Sequence, residues 1–382
     1  MNATEPSKKK EEKPPLMARF GKRYFASRST KVRAAASGDA IHVLNPEERR
    51  NLRNVQLGAI ARAALAGALS GGACAVAEMF ATDRWPDDRV MYWAFLGSIT
   101  VVASISEIAF IYWDTLRSVH ELARVAGLEL FGKDRVTSDE ALVDALARAA
   151  LELPNPVDIA DGVNPHREVK KWQLVLASLA YKAKVGVTNF LVKMLIRRVG
   201  SRVALRAAFL PLVALPVTAF WNGVVTYLIL REARIRAMGP SAIEEMVKVV
   251  FEDAPLLSEK GKLSAMRAVA AAIVRTQDLH PNLVRLLAVT SKRAGDLGNA
   301  ELDDVGLFLN DLTTLDPRER KVSLQLLAAA CVVDGRLTTR EKKLFTDALA
   351  ASGKAVELGT LERLRLAFIR GDEGAETVLR AI

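Results

Sequence analysis

Asp334 and Glu341 are the residues of this 382-residue chain whose types and spacing best suit ion chemistry. They stand in DGRLTTRE, one carboxylate at the end of a helical run and the other one turn into the next. Oxygen ligands so placed can share a divalent cation. A structural account covers the same residues. Gly335 supplies a left-handed helix stop, Thr338 caps the following helix, and Glu341 closes a capping box three residues on. A hard cation also wants more oxygens than two side chains provide. The upstream stretch FEDAPLLSEKGK keeps Asp253 and Glu259 without the glycine, a degenerate copy at best.

Arg62 and Glu107 form a second candidate pair, because each interrupts a long apolar run. A lone charge in such a run is costly, whereas opposite charges facing each other largely cancel. With the fold-back between the runs centred near Arg84 and Trp85, Arg62 and Glu107 fall at one depth and are expected to touch. They either staple two helices or line an ion path. Glu78 lies nearer the fold-back, within reach of Arg84 or Arg89. Other chemistry is scarce. His42, His120, His166 and His280 are scattered. His120-Glu121 opens like a zinc-protease helix, but Arg124 stands where a second histidine belongs. Gly261-Lys262 lacks the upstream glycine and the following Ser or Thr of a phosphate loop. No nucleophile elbow, Cys–His pair or dinucleotide fingerprint occurs, so a non-catalytic protein without an organic cofactor is expected.

These residues need elements to hold them. Residues 91–113, MYWAFLGSITVVASISEIAFIYW, carry Tyr92-Trp93 at one end and Tyr112-Trp113 at the other. As a helix the run measures roughly 34 Å, against a hydrocarbon thickness of about 30 Å. Aromatic pairs at that spacing mark the two headgroup boundaries. A second apolar run, 55–81, precedes it across a short polar turn, so the two form an antiparallel hairpin at 46–113. Gly67 and Gly71 make a GxxxG that permits close approach or dimerisation.

Basic residues flank the hairpin: Lys8–Lys10, Arg19, Lys22, Arg23, Arg28, Lys31 and Arg33, then Arg49, Arg50 and Arg53. The turn holds Asp83, Asp87 and Asp88. Positive flanks stay cytoplasmic, which places both ends of the chain inside, at an inner membrane with an anionic leaflet. No cleavable leader is expected, and Cys74 and Cys331 read as reduced thiols. The net charge of +10 is concentrated near the hairpin. The basic helices farther on are mixed with acids and poor in aromatics, so lipid is expected as the partner and nucleic acid is not. Residues 1–45 read as a disordered basic tail.

From 170 to 238 the chain is apolar and basic together. The run 207–230 is long enough to span, but arginines flank both of its ends. Pro211 and Pro216 interrupt the helical ladder, and Asn222 places an amide among apolar groups. It is read as a re-entrant hairpin, with a buried core hairpin or a third span as alternatives. YWDTLRSVHELARVAGLEL, the lysines 182, 184 and 193, and LPLVALP…FWNGVV…AR together resemble EcsC-like membrane-associated proteins, over roughly 105–238. That resemblance implies membrane association for 114–238 and no particular reaction. From 239 to 382 amphipathic helices follow one another. There, Asp334, Gly335, Leu337, Thr338 and Glu341 are similar to the helix–turn–helix motif of TerB-like tellurite-resistance domains, whose acidic residues imply metal binding.

The expected fold is all-α: a transmembrane hairpin, a re-entrant helical region and a TerB-like bundle. The expected role is an adaptor that binds protein partners in an envelope or stress response, with homo-oligomers open. Lipid handling or transport, and divalent-metal sensing, are the alternatives.

Overall fold

The computed structural model describes residues 16–29, 43–125, 136–153, 155, 162–169, 210–252, 254, 256–295, 297, 300–354, 357–372 and 374–382. They form helices and no strand, in the order α1 (Leu16–Ser29), α2 (Pro46–Arg84), α3 (Arg89–Val125), α4 (Val136–Ala150), α5 (Leu210–Glu252), α6 (Glu259–Thr276), α7 (Pro281–Ala294), α8 (Val305–Thr314), α9 (Pro317–Ala330), α10 (Thr339–Ser352), α11 (Leu358–Arg370) and α12 (Gly374–Arg380).

The all-α class is as expected. The presumed disordered tail at 1–45 is not disordered throughout, since residues 16–29 in its middle are the helix α1. Its Phe25 is fully buried in a core with Leu52, Leu116, Leu122 and Leu146. Gly21 lets α1 lie close on α4, because a Cβ there would stand 2.9 Å from that of Ala147. A short stretch with so few large apolar groups carries a weak pattern, and tertiary packing supplies what the pattern lacks.

Asn45 starts α2 with a reciprocal capping box to Glu48, and Pro46 occupies the first turn, where no N–H is needed. From there α2 runs 39 residues without a break. The partner helix α3 is also longer than expected. It continues past Trp113 to Val125, so DTLRSVHELARV extends the same axis. Its inner face, including Leu116, Val119 and Leu122, joins the core that holds Phe25.

Both helices are long and apolar enough to cross a membrane. Only 22% and 11% of their most apolar stretches are buried, unlike the core helix of a soluble domain. Leu65, Leu69, Val76 and Met79 on α2, with Trp93, Val101, Val102 and Ile105 on α3, lie more than half exposed.

The 43-residue α5 overturns two expectations. Pro216 does not end a helix, and the proposed boundary near residue 239 falls inside one. Residues 170–209 lie outside the described residues. From Leu210 onward the run read as a re-entrant hairpin is one continuous helix packed along α2, with Pro211, Pro216 and Asn222 all on it, and does not turn back. Farther on, Pro240 removes the N–H that the Arg236 carbonyl would otherwise accept. There the Asn282 side chain donates to the neighbouring Ile235 carbonyl at 3.0 Å and to that of Val333 at 2.7 Å.

Two apolar cores result, and α5 belongs to both. Leu230, Ala233, Ala237 and Met238 face the core of α1–α4. Ile235, Ala242, Ile243 and Met246 face a larger core formed with α6–α12, in which Met266, Phe308 and Phe345 are buried. A second tie joins the start of α2 to the corner after α11. The Leu44 N–H donates to the Gly371 carbonyl at 3.1 Å, and Arg49 pairs with Asp372 at 2.7 Å.

Candidate functional site

Three helices meet where the apolar halves of α2, α3 and α5 run side by side. Gly67 makes the contact possible: a Cβ there would meet the Thr218 carbonyl oxygen at 2.7 Å and Asn222 Nδ2 at 2.5 Å. At Gly71 it would meet Thr218 Oγ1 at 2.9 Å. The GxxxG face is therefore occupied from within the chain, by α5, and is not left for dimerisation. Close approach brings polar groups into register. The Thr218 hydroxyl donates to the Gly67 carbonyl at 2.9 Å. Asn222, 3% exposed, donates from Nδ2 to Glu107 Oε1 at 2.7 Å and to the Ala63 carbonyl at 3.4 Å.

The expected Arg62–Glu107 pair is not formed. Arg62 Nε donates to Asp114 Oδ1 at 2.7 Å and its terminal nitrogen to Ser118 Oγ at 3.1 Å, while Glu107 serves Asn222. The fold-back occupies residues 85–88, about two residues later than expected near Arg84 and Trp85, and the long Arg62 side chain reaches along α3 to Asp114, seven residues past Glu107. Of the three re-entrant-hairpin residues, Asn222 is part of this contact. Pro216 lies six residues before it, nearly two turns, and Pro211 lies in the first turn of α5.

Glu107 is predicted to bind Asn222 through its shape and acceptor oxygen, not its charge alone. Glu107→Leu strips the acceptor and is expected to cost about 1–3 kcal/mol, the penalty for a buried amide left unpaired. Glu107→Gln keeps an acceptor and is expected to retain most of the stability. Thermal melting of the two variants in detergent micelles separates these outcomes.

Asp334 lies between α9 and α10, and Glu341 lies in the first turn of α10. Gly335 adopts the left-handed conformation, with φ of 71°. Thr338 and Glu341 form a reciprocal capping box at the start of α10, with the Thr338 N–H donating to Glu341 Oε2 at 2.7 Å. Asp334 Oδ1 accepts the Arg336 N–H at 2.8 Å. Among the described residues no group of three His, Cys, Asp or Glu converges here or elsewhere to hold a metal, and Asp253 is outside them. The turn thus has the geometry of a helix stop and cap. Glu341 Oε1 is left buried without a partner. Burial, and then the charge of Asp334, push the Glu341 carboxyl up to about 7. Burial likewise raises Asp334 above its ordinary range.

The same turn is fastened to α5. The Gly335 carbonyl accepts from Arg231 at 2.8 Å and from Arg365 of α11 at 3.2 Å. A Cβ at Gly335 would stand 2.3 Å from Ile235 Cδ1. Beside it, Glu232 takes His280 Nε2 and Arg236 Nε, both at 3.0 Å. His280 Nδ1 accepts the Asn282 N–H, which leaves the Nε2 proton for Glu232. Burial works against the Glu232 charge, but the hydrogen bond that His280 donates, with the charge and hydrogen bond of Arg236, overcomes it and holds the carboxyl at about 2. Arg236 reaches on to the Ala145 carbonyl and to Asn155.

Asp114, Thr218 and Glu232 carry these contacts and were not singled out from sequence, while Arg231 and Arg236 were read only as the basic flank of the apolar run. Asp114 had a legible signal, as a carboxylate directly after the Tyr112-Trp113 boundary. The others lie in helical periodicity like that of any surface helix. No protein-family model matches the chain, and neither a curated protein nor a solved structure does.

Proposed function

We propose that the chain is a non-catalytic, membrane-anchored adaptor. The hairpin α2–α3 crosses the inner membrane, both chain ends are cytoplasmic, and the bundle of α6–α12 is held at the membrane for protein partners. One observation carries this reading: the most apolar stretches of α2 and α3 are exposed, whereas the bundle buries its own core. In water such a surface would invite aggregation; in lipid it is the stable arrangement. The exposed Arg50, Arg53 and Arg117 near its cytoplasmic rim suit an anionic leaflet.

Arg62, Glu107 and Asn222 each take a partner on a neighbouring helix, which suits a staple better than a conduit for ions or lipids. The likeness to EcsC-like proteins and TerB-like domains belongs to this reading, as does action in an envelope or stress response. Self-association, if used, would need a face other than the GxxxG. A divalent cation at Asp334 and Glu341 would have to bring its further oxygens from water.

The test is topology. Single cysteines replacing Asp87 or Asp88 are expected to react with an impermeant maleimide from outside intact cells, while one at Thr346 on the exposed side of α10 reacts only after permeabilisation. Labelling of all of these positions from one side would remove the spanning hairpin. Release of the chain into the supernatant without detergent would remove the anchor altogether.

A further inference from the structure

We propose that α1 is a second membrane contact, an interfacial helix that binds the anionic headgroup layer beside the hairpin; the proposal rests on the spanning reading above. Among the described residues, nearly every large apolar side chain that is exposed lies on the apolar faces of α2, α3 or the first half of α5. Phe20 and Leu256 are the exceptions. Leu256 sits on the loop between α5 and α6. Phe20, 56% exposed, projects from α1 next to the exposed Arg19 and within one turn of the exposed Arg23. The inner side of α1 is already filled by Gly21 and Phe25, so Phe20 has no part in the core.

The place of α1 decides what covers that ring. Phe25 stacks on His120 of α3, with ring centroids 6.1 Å apart. His120 is seven residues past Trp113, about 10 Å along the helix. Trp113 is itself exposed, and the Arg117 guanidinium lies 5.7 Å from its ring centroid. A headgroup layer is roughly 5–8 Å deep on each side of the hydrocarbon. The Phe25 contact thus lies just past that layer, but Gly21, next to Phe20, lies against Ala147 and Leu151. The Ala150 carbonyl, between them in sequence, accepts the Thr115 hydroxyl at 3.1 Å, two residues past Trp113 and close to the level where α3 leaves the apolar zone. Aromatic insertion with arginines beside the ring is the chemistry of helices that lie in the interface. Guanidinium groups bind phosphate oxygens in a two-pronged fashion, and each basic residue near an anionic surface is worth roughly a fivefold preference. An acidic protein would account for the arginines, but not for a bare phenyl ring at the rim of the apolar belt.

The test uses the full chain in lipid nanodiscs, with Cys74→Ala and Cys331→Ala removing the native thiols. An environment-sensitive dye is attached through Phe20→Cys, and in a second sample through Ile105→Cys on the exposed face of α3. Quenchers are attached to lipids near the headgroup or deep in the chains. In discs containing phosphatidylglycerol, the dye at position 20 is expected to be quenched by the shallow probe and the dye at 105 by the deep one. In pure phosphatidylcholine, or with Arg19→Gln and Arg23→Gln together, quenching at position 20 is expected to fall at least severalfold, while position 105 is unchanged. A dye at position 20 that stays water-like in anionic discs overturns the proposal, and quenching at 105 in that same experiment leaves the hairpin standing. Loss of quenching at 105 removes the hairpin, and with it the basis for α1.

Discussion

Gly67→Leu is expected to drive α5 off α2 and to lower the melting midpoint of the detergent-solubilised protein by on the order of 5–10 °C. The reason is space. Already a Cβ at this position would stand 2.7 Å from a backbone oxygen of Thr218, which cannot swing aside, and 2.5 Å from the Asn222 amide. The two helices must separate, and the Thr218 and Asn222 bonds to α2 lengthen with them. Overpacking of this kind costs about 1–3 kcal/mol, and the lost hydrogen bonds add to it. In a chain this long each kcal/mol moves the midpoint by roughly 2–4 °C. Gly97→Leu is the control, since nothing lies within 4 Å of a Cβ at that glycine of α3. Similar melting of the two variants would mean that α5 does not lie against α2.

The second large effect is a dependence on pH centred on Glu341. Its carboxyl titrates at about 7 in the folded protein, against an ordinary value of 4.5. A raised folded value means that the fold prefers the protonated form. Stability from this group is thus complete below about 4.5, declines as pH climbs, and is gone above about 7. The span corresponds to about 3 kcal/mol, since each pKa unit is worth roughly 1.4 kcal/mol. Glu341→Gln keeps an oxygen to accept the Thr338 N–H but cannot ionise. Melting curves of variant and parent are expected to agree near pH 5 and to diverge by pH 8, with the variant the more stable. Parallel curves across that range would show that Glu341 is charged throughout in the fold.

Local signals were legible in the sequence. Thr338 and Glu341 announce their capping box because both partners lie within three residues of each other. The run 91–113 announces a helix through its apolar length, and the alternation in 262–275 and 340–352 likewise marks α6 and α10. What depends on distant chain segments was not legible. The partner of Arg62 turns on the geometry of the fold-back and on how far its side chain reaches, since Asp114 stands two helical turns past Glu107 on α3. Pro211 and Pro216 were read as breaks because their own chemistry favours breaks. Pro240 is tolerated where Asn282, more than forty residues away, bonds the carbonyl beside the opened ladder. The helix α1 escaped notice for the same reason, since only the α3 and α4 surfaces give Phe25 and Gly21 their purpose.

The single rod of α5 has a mechanical consequence. It is shared by the two cores and riveted at Gly335 and Asn282, so the anchor and the bundle turn together rather than about a loose joint. With a length of roughly 65 Å, a lean of about 10° at one end carries the other through roughly 11 Å. On the proposed membrane-spanning reading, a thinner or thicker bilayer that reoriented the hairpin would reposition the distant surface of the bundle, and lipid composition would become a setting for what that surface can reach.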